Sequence, residues 1–146
     1  MNEAIIKRAE QIIADRPSKE LGCCVLAQLD LDGSPTAATI SPSKTDGVKH
    51  VYFCTGLGSN WVKRINHDNR ASLCFNSAAE QYNITLIGVM DVLTDLESKR
   101  EMWYPGMGTY FAGPEDPQFV VLRFTTRRYS FMLNEHDANG SARGEL

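Results

Sequence analysis

Ile5, Ile6, Ala9, Ile12 and Ile13 fall on one face of residues 2–16, while Glu3, Lys7, Arg8 and Glu10 interrupt them on the other and Pro17 lies just beyond. This spacing predicts an amphipathic helix packed on a second layer. The pattern then shortens. Residues 21–30 read as a strand, and Asp32-Gly33 is a hairpin turn into a second strand over 35–41. Asp46-Gly47 repeats the turn signal and returns the chain into a strand over 49–55, completing a meander. A glycine-containing turn leads into a helix over 59–67. Asn69-Arg70 then opens a strand over 71–75, and a longer strand follows over 81–93. Thr94-Asp95-Leu96-Glu97 matches a capping box and predicts a helix over 95–103, ended by Tyr104-Pro105-Gly106. A last strand pair is predicted over 119–124 and 129–133, bent at Thr125-Thr126-Arg127-Arg128. Residues 134–146, polar and glycine-containing, are expected to form a mobile C-terminal tail.

Six or seven strands joined mostly by tight turns must close or cover their edges, so the pattern predicts a small antiparallel barrel with peripheral helices, β-rich α+β in class. No repeat, linker or composition shift divides the chain, so residues 1–133 form a single domain in this reading. At 146 residues the chain is long enough for one substantial core and too short for two ordinary domains.

Composition removes several function classes. A net charge of −3 and the absence of a basic cluster argue against nucleic acid as a partner. No apolar run approaches the ~18 residues of a membrane span, and the charged N-terminus is not a signal peptide, so a cytoplasmic protein is expected. Cys23, Cys24, Cys54 and Cys74 lack metal or redox spacing and read as small buried hydrophobes in a reduced compartment. His50, His67 and His136 are scattered, and read as surface or loop residues rather than metal ligands.

The chemistry concentrates at Tyr52-Phe53-Cys54-Thr55-Gly56-Leu57-Gly58-Ser59-Asn60-Trp61, where an apolar strand passes through two glycines and a serine into a helix. Such a turn leaves the first helical amides pointing at whatever sits above the helix N-terminus, and a phosphate fits there. The same pattern also suits a plain turn with Ser59 as N-cap.

The order of these elements, with Pro35 after the first hairpin, Thr55 and Ser59 in the glycine turn, Asn69-Arg70-Ala71-Ser72-Leu73-Cys74-Phe75, and Gly88 in the long strand, resembles the pyridoxamine 5′-phosphate oxidase-like family of FMN-binding split barrels. The helix ending in Trp103, the Tyr110-Phe111 loop through Pro117 and the final strand pair are similar to its short general-stress-protein branch. The resemblance covers residues 20–132. It implies a homodimer with two FMN sites at the subunit interface, with Thr55 and Ser59 at the flavin phosphate. Asn83 stands where the family offers a side-chain amide to the flavin. Asn60 and Trp61 replace the basic residues usual after the serine, and Ala38 replaces another. Lys44, Lys63 and Arg64 are the substitute cations, although Lys63 and Arg64 read equally as solvated helix charges. Trp61 has three readings: a core residue, a wall over the flavin, or a plug in the phosphate pocket.

The resemblance therefore implies a flavin-dependent oxidoreductase that acts on a small-molecule substrate or electron donor through FMN, with no catalytic side chain required of the protein. The missing cations keep a second class open, a non-catalytic flavin carrier or a barrel that binds another small ligand, with deazaflavin or haem in place of FMN. Oxidation of pyridoxamine phosphate stands behind both readings. The last strand, Tyr129-Ser130-Phe131-Met132, lacks the family's tryptophan, and only Arg143 is basic in the tail.

Overall fold

The computed structural model describes residues 3–16, 22–133 and 140–146. The elements run α1 (Glu3–Asp15), β1 (Cys24–Leu29), β2 (Pro35–Ile40), β3 (Lys44–Asp46), β4 (His50–Gly56), α2 (Asn60–His67), β5 (Arg70–Ser77), β6 (Tyr82–Leu93), α3 (Leu96–Met102), a 3-10 segment (Pro105–Thr109), β7 (Phe119–Leu133) and β8 (Gly140–Glu145). All described strand pairs are antiparallel, in the order β2-β1-β5-β6-β7-β4-β3. The sheet is not closed. The chain instead passes from β2 at one edge to β3 at the other through Ser41-Pro42-Ser43, which makes the split barrel.

The turn chemistry explains the meander. Gly33 has φ 85° and Gly47 has φ 55°, a region that favours glycine, and Asp32 Oδ1 accepts the Ser34 amide at 2.9 Å. β1 alternates buried and half-buried positions, as a strand with one face on a core should.

Three details differ from the sequence reading. The predicted pair at 119–124 and 129–133 is one fifteen-residue strand, β7. Ile87 pairs with Arg128 but Gly88 pairs with Thr126, so Arg127 is an extra, bulged residue. The bulge shifts the alternation: Leu122, Phe124 and Thr126 point inward before it, and Tyr129, Phe131 and Leu133 after it. Second, the expected mobile tail is partly a strand. β8 pairs with β7 from Arg128↔Glu145 to Leu133↔Gly140, and Ala142 is buried in the main core, because β7 beyond β4 offers a free edge and α1 covers it. Residues 134–139 lie outside the described residues. Third, Asp95 rather than Thr94 caps α3, accepting the Ser98 amide at 3.0 Å, so the capping box is not formed. With β3 and β8 added and the last pair merged, eight strands replace the expected six or seven.

The main core fills the barrel interior. Phe53, Phe75, Phe124 and Phe131 are fully buried there, α1 contributes Ala9, Ile12 and Ile13, and α2 contributes Val62 and Ile65. Arg16 anchors the end of α1 by donating to the Asn76 carbonyl at 3.3 Å, the Cys23 carbonyl and the Tyr82 hydroxyl. A second cluster lies on the opposite face of β4 and β7. There Met102, Met107, Phe119 and Val121 pack with Tyr52, Cys54, Trp103 and Phe111 beneath α3 and the 3-10 segment. Lys99, 6% exposed, is satisfied in that layer by the Asp116 carbonyl at 2.9 Å.

Candidate functional site

β4 delivers Thr55 to the end of the barrel, paired with Val120, and the chain turns through Gly56-Leu57-Gly58 into α2. Two backbone bonds fix the turn, Leu57 N–H to the Gln118 carbonyl at 2.8 Å and Ser59 N–H to the Gly56 carbonyl at 3.0 Å. Ser59 is the N-cap of α2, in extended conformation, with Oγ accepting the Val62 amide at 3.4 Å. The first intrahelical bond runs from Lys63 N–H to the Ser59 carbonyl at 3.2 Å. The amides of Asn60 and Trp61 precede it and are the open donors of the turn. Asn60 is exposed, and a side chain at Gly58 would meet nothing within 4 Å, so the space above the helix end is open.

Arg64 does not face this opening: its Nε lies 3.4 Å from Asp30 Oδ1 and its guanidinium stands over the Trp61 ring, 5.8 Å from the centroid. Lys44 is paired with Glu101 at 2.6 Å, an ion pair that raises the lysine's pKa, and it borders a cleft of about 480 Å³ between β3 and α3. Lys63 is exposed on α2. Trp61 is half-buried against the main core.

Thr55, Ser59, Asn60, Trp61 and Lys63 are thus brought together, and Asn83 is not. Asn83 pairs with Met132 near the far end of β7, whereas Thr55 pairs with Val120 near its start. Asn83 is exposed on the outer face, where its Oδ1 accepts from the Cys74 thiol at 3.0 Å. Of the cysteines expected to be buried, only Cys24 is, and burial pushes its thiol up to about 12; Cys54 and Cys74 are half-buried on strand faces turned away from the main core, and Cys23 is half-buried just before β1. All four are free thiols. His50, expected on the surface or in a loop, is half-buried in β4 with Nδ1 3.3 Å from Thr125 Oγ1, because it lies opposite Thr125 in the ladder. His67 is exposed and His136 lies outside the described residues. Among the described residues no group of three His, Cys, Asp or Glu is placed to hold a metal ion, and no helix is long and apolar enough to cross a membrane.

Gln28 is the site residue the sequence reading missed. It is 4% exposed, and its Nε2 donates to the Trp61 carbonyl at 3.2 Å, tying β1 to the first turn of α2. Its Oε1 is buried without a partner. The signal was a glutamine at an inward position of an otherwise apolar alternation, after Cys24 and Leu26.

An open antiparallel barrel whose β4 end turns through glycines into a serine-capped helix is the split-barrel class of protein. The sequence matches the model of pyridoxamine 5′-phosphate oxidase-like proteins over residues 13–136, and the chain belongs to that family. No curated protein sequence shows significant similarity to it. Among solved structures, the fold is similar to that of a protein related to general stress protein 26 of B. subtilis (pyridoxinephosphate oxidase family) from Clostridium acetobutylicum. That match has TM-score 0.79 and 20% identity, covering 100% of this chain and 97% of the other. General Stress Protein 26 from Bacillus anthracis str. Sterne matches with TM-score 0.74 and 15% identity, over 100% of both chains. A heme binding protein from Mycobacterium smegmatis shares the fold at TM-score 0.66 and 18% identity, covering 94% of this chain and 57% of that one.

Proposed function

We propose that this protein is a homodimeric FMN-binding flavoprotein that passes electrons or hydride between small molecules. The observation that carries the reading is the β4–α2 turn, whose open amides at Asn60 and Trp61 and whose Thr55 and Ser59 hydroxyls form a donor set suited to a phosphate, in a chain of this family. When bound, the flavin supplies the redox chemistry. The residues of the chain hold and orient it and keep water from it. Thr55, Ser59 and the two amides hold the phosphate, and Trp61 borders it. Asn83 pairs with Met132, at the other end of β7 from Thr55, so in this reading it serves the flavin of a second chain.

One observation favours a second reading. The nearby cations are engaged or exposed, with Arg64 on Asp30 and Lys44 on Glu101. An FMN phosphate, close to doubly charged, is then left with neutral donors and the exposed Lys63, at lower strength than a full set of charge-assisted bonds gives. A non-catalytic ligand carrier, for haem or another small molecule, fits that deficit and the heme-binding neighbour of the same fold. The absorption spectrum of the purified protein, recorded with its mass by light scattering, separates the two. Flavin bands on a dimer support the first reading. A colourless protein that FMN does not reconstitute, or a monomer at micromolar concentration, removes it.

A further inference from the structure

A second concavity lies on the outer face of the sheet, across β1, β5, β6 and β7, with a volume of about 460 Å³. Its floor is apolar: Ala27, Leu29, Pro35, Ile87 and Val89. Its rim is cationic. Arg70 stands on one side, held by Asp68 in a two-point pair at 2.7 and 3.1 Å, while Arg127 and Arg128 stand on the other. The bulge explains the second pair. With Arg127 unpaired between Gly88↔Thr126 and Ile87↔Arg128, two consecutive side chains are exposed where regular alternation would bury one. Among the described residues no ion pair or side-chain hydrogen bond engages either guanidinium, although Glu145 lies opposite Arg128 in the ladder. In a chain of net charge −3, two adjacent uncompensated arginines over an apolar floor are a local reversal of sign.

We infer that this groove is a binding site for a small amphipathic anion, an aromatic or aliphatic body carrying a carboxylate. The apolar floor buries the body, and the two guanidiniums take the carboxylate in paired N–H···O bonds. None of the groove's lining residues belongs to the turn from Thr55 to Lys63, although Gln28, which does line it, donates to the Trp61 carbonyl at the start of α2.

The test uses 2-naphthoate, with 2-naphthol as the uncharged analogue, on the full-length protein by calorimetry and amide NMR. The expected result is saturable 2-naphthoate binding that shifts the amides of Ser72, Gly88 and Val89, at least tenfold weaker 2-naphthol binding, and at least tenfold loss of 2-naphthoate affinity in the double variant R127Q/R128Q with an unchanged melting temperature. Equal affinity for the two compounds, or for the two proteins, overturns the proposal. So does the absence of shifts at the groove. Displacement of 2-naphthoate by FMN with equal loss of both in Ser59→Ala also overturns it, since the groove is then part of the flavin site.

Discussion

A methyl group added at Gly88 tests the bulge on which the architecture of β6 and β7 depends. An ideal Cβ there would lie 1.9 Å from the Thr125 carbonyl oxygen, 2.9 Å from its carbon and 3.1 Å from the Thr126 Cα. The obstacle is backbone, not the end of a flexible side chain. Nor is that backbone free to retreat: the Thr126 amide donates to the Lys49 carbonyl at 2.8 Å and its hydroxyl to the Val48 carbonyl at 2.5 Å. Relief requires β6 and β7 to part at the bulge, with overpacking strain of roughly 1–3 kcal/mol. With a urea dependence of ~2 kcal/mol/M, the unfolding midpoint of Gly88→Ala falls by about 0.5–1.5 M at unchanged slope. Gly58→Ala is the control, because nothing lies within 4 Å of its added Cβ and its φ is not positive. It should leave the midpoint within about 0.3 M, since surface substitutions stay within ~0.5 kcal/mol. A Gly88→Ala midpoint equal to the native one would refute the bulge as described.

At the flavin turn, Ser59→Ala removes the cap on the Val62 amide and should lower stability by roughly 1 kcal/mol while also weakening FMN binding; lost stability with unchanged flavin affinity leaves Ser59 a cap alone. Trp61→Lys trades a side chain packed on the main core for an ammonium beside Arg64, so a melting curve should show a loss of roughly 1–3 kcal/mol, and tighter FMN binding at equal stability would show instead that Trp61 only fills a lost cation's place. The Cys24 thiol, pushed up to about 12 by burial, should be alkylated at pH 8.5 about a thousandfold more slowly than an ordinary thiol, read by mass spectrometry of the native protein. The sign follows from the raised value: the neutral thiol belongs to the fold, so stability is fully present below the unfolded thiol's pKa of roughly 8.5 and declines as the pH rises from there towards 12. Labelling of Cys24 at the free-thiol rate would contradict its place in the core.

Local chemistry made most of the barrel legible. The Asp32-Gly33 and Asp46-Gly47 turns, the Ser59 cap and the amphipathic face of α1 each state their structure within a few residues, and the structure follows them. What the sequence did not show depends on partners distant in the chain. Thr125-Thr126-Arg127-Arg128 looks like the bend between two strands, because a bulge and a turn both interrupt alternation, and only the pairing with Ile87 and Gly88 decides between them. The polar segment from Gly140 lacks an apolar stripe yet forms β8, since a free edge of β7 supplies the hydrogen bonds that its composition does not advertise. Thr94 and Asp95 are both good caps, and the choice between them is fixed by where β6 ends. At the site, spacing grouped Thr55 through Lys63 because they are contiguous. The separation of Asn83 from them, and the engagement of Arg64 by Asp30, are long-range facts.

Fluorescence titration of FMN with the purified protein, at micromolar concentration and with stoichiometry read from the break point, tests the flavin reading most directly. Saturable quenching is expected at one FMN per chain, two per dimer, and weakened in Ser59→Ala. Absence of any flavin binding, with haemin bound stoichiometrically by the same preparation, would contradict it and assign the fold to a carrier of another ligand.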